Sequence, residues 1–190
     1  MFKFLNSKHS DESLMLKYQQ GDSVAFETLY RRHKDPLFAF LYRSHVDLQA
    51  IEEIAQETWM AVINAAARYR PTAKFRTYLY AIAHRKLVDF WRKHKIETLV
   101  DRVDEQGEAI VEKVPGPARL NPGSLDLAMD LLLALESLSK EQQQAFLLRE
   151  EGFSRQEIAV MTGSNEETIK SRIRYATAHL KQILKVQYAD

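Results

Sequence analysis

The sequence predicts an all-α protein: two small helical domains joined by an acidic linker, with a helix-turn-helix in the C-terminal domain. Three observations predict this class. Apolar residues recur at spacings of three and four over long stretches, as on one face of a helix. Ser, Asp and Asn residues stand directly before these stretches, where helix caps belong. No stretch alternates apolar and polar residues as a half-buried strand does.

Capping residues mark the expected helix starts in the first half of the chain. In chain order they are Ser10, Asp22 or Ser23, Asp35 and Asp47. Gly21 is expected to end the first helix. Pro36 follows Asp35, and a proline suits the first helical position, so a new helix is predicted to open there.

The helix after Asp47 has an apolar stripe and a polar face. Ile51, Ile54 and Thr58 are among the residues of the stripe, which predicts that this side is buried. The opposite face carries Glu53, Gln56 and Glu57. Such a face is most often only solvated, and a partner surface is the alternative.

Residues 68–95 combine cations with aromatic rings. This segment holds nine Lys and Arg and a single acid, Asp89. Unpaired nucleic acid is bound by this combination, because cations neutralise phosphates and rings stack on exposed bases. The alternative is that most rings belong to the core of an amphipathic helix running from Phe75 to about His94. That alternative explains Tyr69, Tyr78 and Tyr80 less well, because Tyr69 lies in a loop and the other two cannot both face inward.

The charge is unevenly distributed. Residues 1–95 carry a net charge of +6, residues 96–124 carry −3, and residues 125–190 carry −2. The middle segment also holds three of the five prolines and three of the six glycines, which predicts an acidic linker. The positive charge of the N-terminal part favours a nucleic-acid partner.

The helix-turn-helix is predicted from residues 153–185, after one helix expected from Leu125 and another that Ser139 and Gln142 are expected to start. Ser154 and Glu157 form a capping box, Gly163 stands where a left-handed residue ends a helix, and Asn165 can cap the next helix. The second helix carries its cations off the apolar stripe, and no acid occurs from Thr168 to Lys185. A basic second helix of this kind fits the major groove. An ordinary helical hairpin with a solvated basic face is the alternative.

The composition excludes several classes of function. The chain has no cysteine and its six histidines show no ligand spacing, so neither a thiolate zinc site nor any other metal site is expected. No phosphate-binding glycine loop, nucleophile elbow or paired His and carboxylate motif is present, so we expect no enzyme activity and no cofactor. No apolar run, that at 131–135 included, is long enough for membrane insertion, and the N-terminus lacks a signal-peptide core. A cytoplasmic protein is expected.

Two segments carry a family resemblance. EEIAQETW from Glu52, followed by FRTYLYAIAHRKLVDFWRK from Phe75, resembles the second conserved domain of bacterial RNA polymerase sigma factors. The segment that begins LLLALESLSKEQQQAF at Leu131 and ends in SRIRYA resembles their fourth domain. Two domains with only a linker between them are the layout of the extracytoplasmic-function (ECF) group. The implied domains are residues 1–95 and 125–190, with the linker at 96–124.

The resemblance implies three sets of contacts. The core polymerase is contacted by Glu53, Gln56 and Glu57. The melted minus-ten strand is held by Tyr69, Arg70, Lys74, Arg76, Tyr78, His84, Arg85 and Arg92. The upstream, minus-thirty-five element of promoter DNA is read in the major groove by Glu167, Thr168, Lys170, Ser171, Arg172, Arg174 and Tyr175. The resemblance also implies an anti-sigma factor that covers these surfaces, and a role in a stress or envelope response.

The sequence departs from the family at positions that bear on base preference. Tyr78 stands where Trp is usual, and Arg85 where Asn is usual. In the fourth domain Glu167 replaces a Gly and Tyr175 a frequent Arg. Thr162 and Ser164 make the turn more polar than usual.

The leading interpretation is a non-enzymatic initiation factor. The alternative is a stand-alone helix-turn-helix regulator with an N-terminal sensor domain, which would have no need for the nine cations and six rings of residues 68–95. A nucleic-acid enzyme would need clustered carboxylates for metal, and Asp89 stands alone in that segment.

Overall fold

The computed structural model describes residues 9–44, 47–101 and 131–187. Within these ranges every regular element is a helix, which confirms the predicted all-α class. The N-terminal domain contains α1 (Asp11–Gln19), α2 (Ser23–Tyr42), α3 (Leu48–Ala65), a 3₁₀ turn (Ala66–Arg68) and α4 (Phe75–Asp101). The C-terminal domain contains α5 (described residues 131–136), α6 (Lys140–Glu150), α7 (Arg155–Thr162) and α8 (Glu166–Gln187).

Most of the predicted caps are present. The side chains of Ser10, Asp22 and Asp47 accept backbone N–H groups from the first turns of α1, α2 and α3. Full capping boxes start α6 at Ser139 and α7 at Ser154. These contacts are local, three residues apart or fewer, which is why the sequence alone predicts them.

The predicted helix start at Asp35 is wrong. Pro36 lies inside α2, which continues without a break from Ser23 to Tyr42. A proline removes one backbone hydrogen bond and disfavours helical geometry in the residue before it. Packing outweighs this cost, because Leu29, His33 and Leu37 follow one another at spacings of four and are all buried. The proline itself is exposed, so its ring displaces nothing in the core.

The last helix of the N-terminal domain is longer than the sequence indicates. It was expected to end near His94, whereas α4 continues to Asp101 and takes up the first six residues assigned to the linker. Residues 102–130, which include the rest of that linker and the predicted helix start at Leu125, lie outside the described residues.

The two domains share one continuous set of buried apolar side chains. Phe40, Leu79 and Tyr80 are fully buried in the N-terminal domain, as are Leu148 and Ile158 in the C-terminal domain. The domains meet where α4 packs against α7. The Tyr80 ring on α4 lies 5.0 Å from the ring of Phe153, which precedes α7.

Candidate nucleic-acid interface

The start of the basic helix α4 is held by a residue from α1. The backbone N–H of Phe75 donates to Oε1 of Glu12 at 2.7 Å. This bond takes the place of a local cap, because the first N–H groups of a helix have no partner within it. The same bond lowers the pKa of Glu12 below its usual value. Glu12 therefore fixes where the loop at residues 69–74 ends and the basic helix begins.

The loop before α4 places Tyr69 differently from the sequence expectation. Tyr69 was expected to present its ring from a loop, but it is only 4% exposed. It packs against Phe75 and Tyr78, with ring centroids 6.5 and 5.4 Å away. Burial raises its pKa to about 12, and its hydroxyl has no hydrogen-bond partner among the described residues. In this conformation the Tyr69 ring supports Tyr78 and is not open to a base.

Tyr78 and Tyr80 point in different directions, as their spacing requires. Tyr80 is fully buried between the domains, and Tyr78 is half-buried beside the loop. Burial raises the pKa of both phenols, that of Tyr80 to about 12. Tyr78 therefore packs against the rings of Tyr69 and Phe75 and leaves part of its own ring exposed beside the loop.

The cations of the predicted single-strand site fall into two groups. Arg70, Lys74, Arg85 and Arg92 are exposed, and Arg92 makes a surface ion pair with Asp89 at 3.3 Å. Arg76 and His84 instead face the C-terminal domain. Nη2 of Arg76 donates to Oε2 of Glu151 at 2.7 Å.

The surroundings of His84 favour its neutral form by lowering its pKa. Burial lowers its pKa, the neighbouring charge of Arg172 lowers it further, and a hydrogen bond with Gln144 opposes the shift. Gln144 also donates to Oγ of Ser44 at 3.0 Å. His84 is thus part of the contact between the domains in this conformation.

The polar face of α3 is exposed as predicted. Glu53, Gln56 and Glu57 all lie on the surface. Oε2 of Glu57 forms an ion pair with Nζ of Lys86 on α4 at 2.8 Å. Gln56 borders an open groove between α2 and α3 whose apolar lining includes Trp59 and Met60. Met60 is 49% exposed. The expectations from sequence did not include this apolar strip, although Met60 follows Gln56 by four residues and so lies beside it on the helix face.

The turn of the helix-turn-helix has the expected geometry. Gly163 has a φ of 64°, a left-handed conformation that costs glycine little. Oδ1 of Asn165 accepts the N–H of Thr168 at 2.8 Å and so caps α8. Nη1 of Arg172 donates to Oγ of Ser164 at 3.0 Å, which ties the second helix back to the turn.

The recognition face of α8 is largely open. Glu167, Lys170, Arg174 and Tyr175 are exposed, whereas Thr168, Ser171 and Arg172 are half-buried. Lys170 pairs with Glu167 at 3.2 Å, and the Arg174 guanidinium lies 5.2 Å from the centre of the Tyr175 ring. The exposed set offers cations and hydrogen-bonding groups on one side of the helix, as major-groove binding requires.

The domain contact contains a charged cluster that no local sequence pattern predicts. Glu151, at the end of α6, accepts from Arg43 and Arg76 and from the hydroxyl of Tyr80. Nearby, Oγ1 of Thr77 donates to Oε1 of Glu157 at 2.9 Å. These partners are 71 to 108 positions apart in the chain, so no local pattern connects them.

The described residues contain no group of three or more His, Cys, Asp or Glu side chains arranged to hold a metal ion. Among those same residues, no helix has the length and apolar character needed to cross a membrane.

Comparison with known families gives two matches in the order that the sequence suggested. The sigma-70 region 2 model matches residues 29–96, and the sigma-70 region 4 model matches residues 128–180. The chain belongs to the sigma-70 family. Both regions together cover more than half of the chain, with residues 97–127 unmatched between them. Members of this family are transcription initiation factors rather than enzymes.

Relatives of this sigma factor align over most of its length. It is 29% identical to the RNA polymerase sigma factor NccH of Alcaligenes xylosoxydans xylosoxydans, over 92% of this chain and 95% of the relative. It is 28% identical to the ECF RNA polymerase sigma factor SigE of Mycolicibacterium smegmatis, over 86% of this chain and 64% of the relative. The fold is similar to that of CnrH, solved in complex with the cytosolic domain of CnrY, with a TM-score of 0.70 at 22% identity over 94% of this chain and 99% of the other. The chain is therefore a sigma factor of the ECF group that directs promoter-specific transcription initiation.

Proposed function

We propose that the two domains bind different partners during transcription initiation. Residues 1–95 bind core RNA polymerase and hold the melted minus-ten strand, and residues 125–190 read the minus-thirty-five element. The observation that carries this assignment is that exposed cations lie beside the partly open ring of Tyr78 in one domain and along the recognition helix in the other. Single-stranded and duplex DNA call for these two different surfaces.

The core polymerase contact is assigned to the α3 face. Glu53, Gln56 and Glu57 are exposed there without supporting the core, and the apolar strip of Trp59 and Met60 runs alongside. An interface with an apolar centre and a polar rim is the usual composition of a specific protein contact. This face therefore suits a protein partner better than it suits DNA, which its acids would repel.

Capture of the minus-ten strand is assigned to the loop and the first turns of α4. Arg70, Lys74, Arg85 and Arg92 contact phosphates, and Tyr78 stacks on an unpaired base. Tyr69 supports Tyr78 from beneath. Arg76 and His84 become available only when the C-terminal domain moves away, because both contact it in the present conformation.

The upstream element is assigned to the first half of α8. Lys170 and Arg174 are four residues apart on the exposed side and can reach guanine edges or flanking phosphates. Arg172, half-buried and bonded to Ser164, is better placed for a phosphate. Glu167 pairs with Lys170 and Tyr175 lies against Arg174, so these two residues affect how the cations contact DNA. Thr168 and Ser171 lie at the edge of this surface.

An anti-sigma factor is proposed as a further partner, in a stress or envelope response. CnrH was solved in complex with the cytosolic domain of CnrY. In this chain the faces proposed to bind DNA and polymerase are both exposed, so a single protein that covered them would silence it.

Run-off transcription with purified core polymerase and a genomic fragment library tests the proposal. Discrete transcripts that require this chain are the expected result. The matched control is the Lys170→Ala/Arg174→Ala double variant, which should bind core polymerase normally but lose most of these transcripts. Tight binding of duplex operators by the chain alone, without transcripts, would favour the stand-alone regulator.

A further inference from the structure

Arg43 and Arg76 form a paired cationic site on the N-terminal domain. Both guanidinium groups reach the same carboxylate, with Nη2 of Arg43 bonded to Oε1 of Glu151 and Nη2 of Arg76 bonded to Oε2. The hydroxyl of Tyr80 donates to the same Oε2 at 3.3 Å. The Arg76 guanidinium also lies over the rings of Tyr80 and Phe153, 5.1 and 4.5 Å from their centres.

The carboxylate in this site comes from the other domain. Glu151 directly follows α6 as its C-cap, and its side chain is only 12% exposed because groups of the N-terminal domain cover it. If the domains separate, two guanidinium groups remain side by side without an anion. Two positive charges that are close enough to share one carboxylate repel each other unless an anion lies between them.

If each domain binds its own promoter element, as proposed above, promoter binding requires the domains to separate. The minus-ten and minus-thirty-five elements are 25 base pairs apart by their names, which is about 85 Å of B-form DNA at 3.4 Å per base pair. Here α4 and α7 are in direct contact, with the Thr77 hydroxyl 2.9 Å from the Glu157 carboxylate. Both elements cannot be engaged in this conformation.

We infer that Arg43, Arg76 and the Tyr80 hydroxyl bind a backbone phosphate of the promoter strand, and that Glu151 occupies this site in place of the phosphate while the domains are in contact. The two non-bridging oxygens of a phosphodiester resemble the two oxygens of a carboxylate in carrying a shared negative charge, and arginine donates charge-assisted hydrogen bonds to either group. Arg76 belongs to the segment assigned to the minus-ten strand, on the face of α4 that it shares with Tyr80. Contact between the domains therefore inhibits DNA binding, because a phosphate of the DNA must displace the Glu151 carboxylate before Arg43 and Arg76 can bind it.

The test measures phosphate contacts on full-length protein without polymerase. A fluorescein-labelled oligodeoxythymidine is titrated by anisotropy at several salt concentrations. Glu151→Gln should bind it several-fold more tightly than the unaltered chain, because the competing carboxylate is gone. Glu150→Gln, which removes the exposed neighbouring acid, should bind like the unaltered chain. Equal affinity of all three would overturn the competition between Glu151 and DNA.

Arg43 is then replaced in the Glu151→Gln background. In the unaltered chain, removing Arg43 would also remove its ion pair with Glu151, and this second effect could hide the loss of a phosphate contact. Glu151→Gln/Arg43→Ala should bind more weakly than Glu151→Gln, with a salt slope smaller by about 0.7, the value for one phosphate on a single strand. The matched control is Arg31→Ala in the same background, on the same helix about 18 Å from Arg43. Arg43→Gln, which keeps most of the side chain, replaces Arg43→Ala if thermal melting shows that the alanine variant is unfolded. An effect no larger than that of Arg31→Ala would overturn the phosphate site.

Run-off transcription separates this inference from the proposed function. An unaltered chain that gives transcripts while Arg43 has no effect on oligonucleotide binding refutes the phosphate site alone. An unaltered chain that gives no transcripts with core polymerase refutes the proposed function, whatever the oligonucleotide data show.

Discussion

Glu12 and Phe75 are 63 positions apart, and the carboxylate of the first caps the backbone N–H of the second at 2.7 Å. This bond joins the first helix to the start of the basic helix and sets the position of the loop between Tyr69 and Lys74. Stability and the DNA-binding surface are therefore linked through one carboxylate.

Glu12→Gln is expected to destabilise the protein by up to about 1 kcal/mol, because an amide oxygen accepts the Phe75 N–H more weakly than a carboxylate does. The pKa of Glu12 is lowered in the folded state, chiefly by the Phe75 bond. Its contribution is therefore present above the unfolded pKa and is lost as pH falls through the folded one. Urea denaturation at neutral pH and near pH 3 should show a difference between the two proteins that shrinks in acid. Glu27→Gln, which removes an exposed acid paired with Arg31, is the control, and an equal loss there would contradict the capping role.

Glu53→Lys is expected to weaken binding to core polymerase at least several-fold while the melting temperature hardly changes. Glu53 is exposed on the α3 face, and surface substitutions of this kind usually alter stability by less than about 0.5 kcal/mol. Glu57→Lys is a less clean test, because it also breaks the pair with Lys86. Fluorescence titration of labelled protein with core polymerase measures the affinity. A parallel fall in affinity and melting temperature would mean that the face is structural.

Tyr78→Ala is expected to impair promoter opening, with a loss of about 1–3 kcal/mol for one stacked base. Tyr78→Phe, which keeps the ring, should retain most of the activity. Permanganate footprinting reports opening, and a template with a preformed bubble should restore much of the transcription by the alanine variant. Failure on both templates would assign Tyr78 to base capture or packing and not to melting.

Lys170→Ala is expected to cost about 1–3 kcal/mol and to relax preference at one base position. Arg172→Ala should weaken all sequences and reduce the salt slope by about one. Holoenzyme affinity is measured across single-base variants of the upstream element, with Lys181→Ala, an exposed cation further along α8, as the control. Uniform weakening by Lys170→Ala would overturn its assignment to a base edge, and no effect of either substitution would contradict major-groove binding.

The domain contact is expected to weaken in mild acid because of His84. Its pKa is lowered in the folded state, mainly by burial, so the unfolded chain takes up the proton first as pH falls below about 6.5. The stability that neutral His84 contributes is full above that pH and is lost below it. The melting temperature of His84→Gln should therefore depend less on pH between 7.5 and 5.5 than that of the unaltered chain. Identical pH profiles would show that His84 does not report on the contact.

The sequence by itself determined the elements whose causes are local. Capping boxes at Ser139 and Ser154, the left-handed Gly163 and the stripe of α3 follow from neighbours within one or two turns, so the helical class and the helix-turn-helix were predictable. The polar face of α3 and the exposed side of α8 follow from the same helical periodicity. The family resemblance rested on these local segments and was confirmed.

The tertiary structure decided everything that depends on residues distant in the chain. Pro36 stays inside α2 because the buried side chains on either side of it share one face. Tyr69 is buried because Phe75 and Tyr78 cover it once Glu12 fixes the start of α4. Glu151 meets Arg43 and Arg76 only when the domains pack together, across about a hundred residues of chain. Local free energies set where helices begin and end, whereas burial and charge pairing between distant segments decide which of their surfaces remain open to DNA.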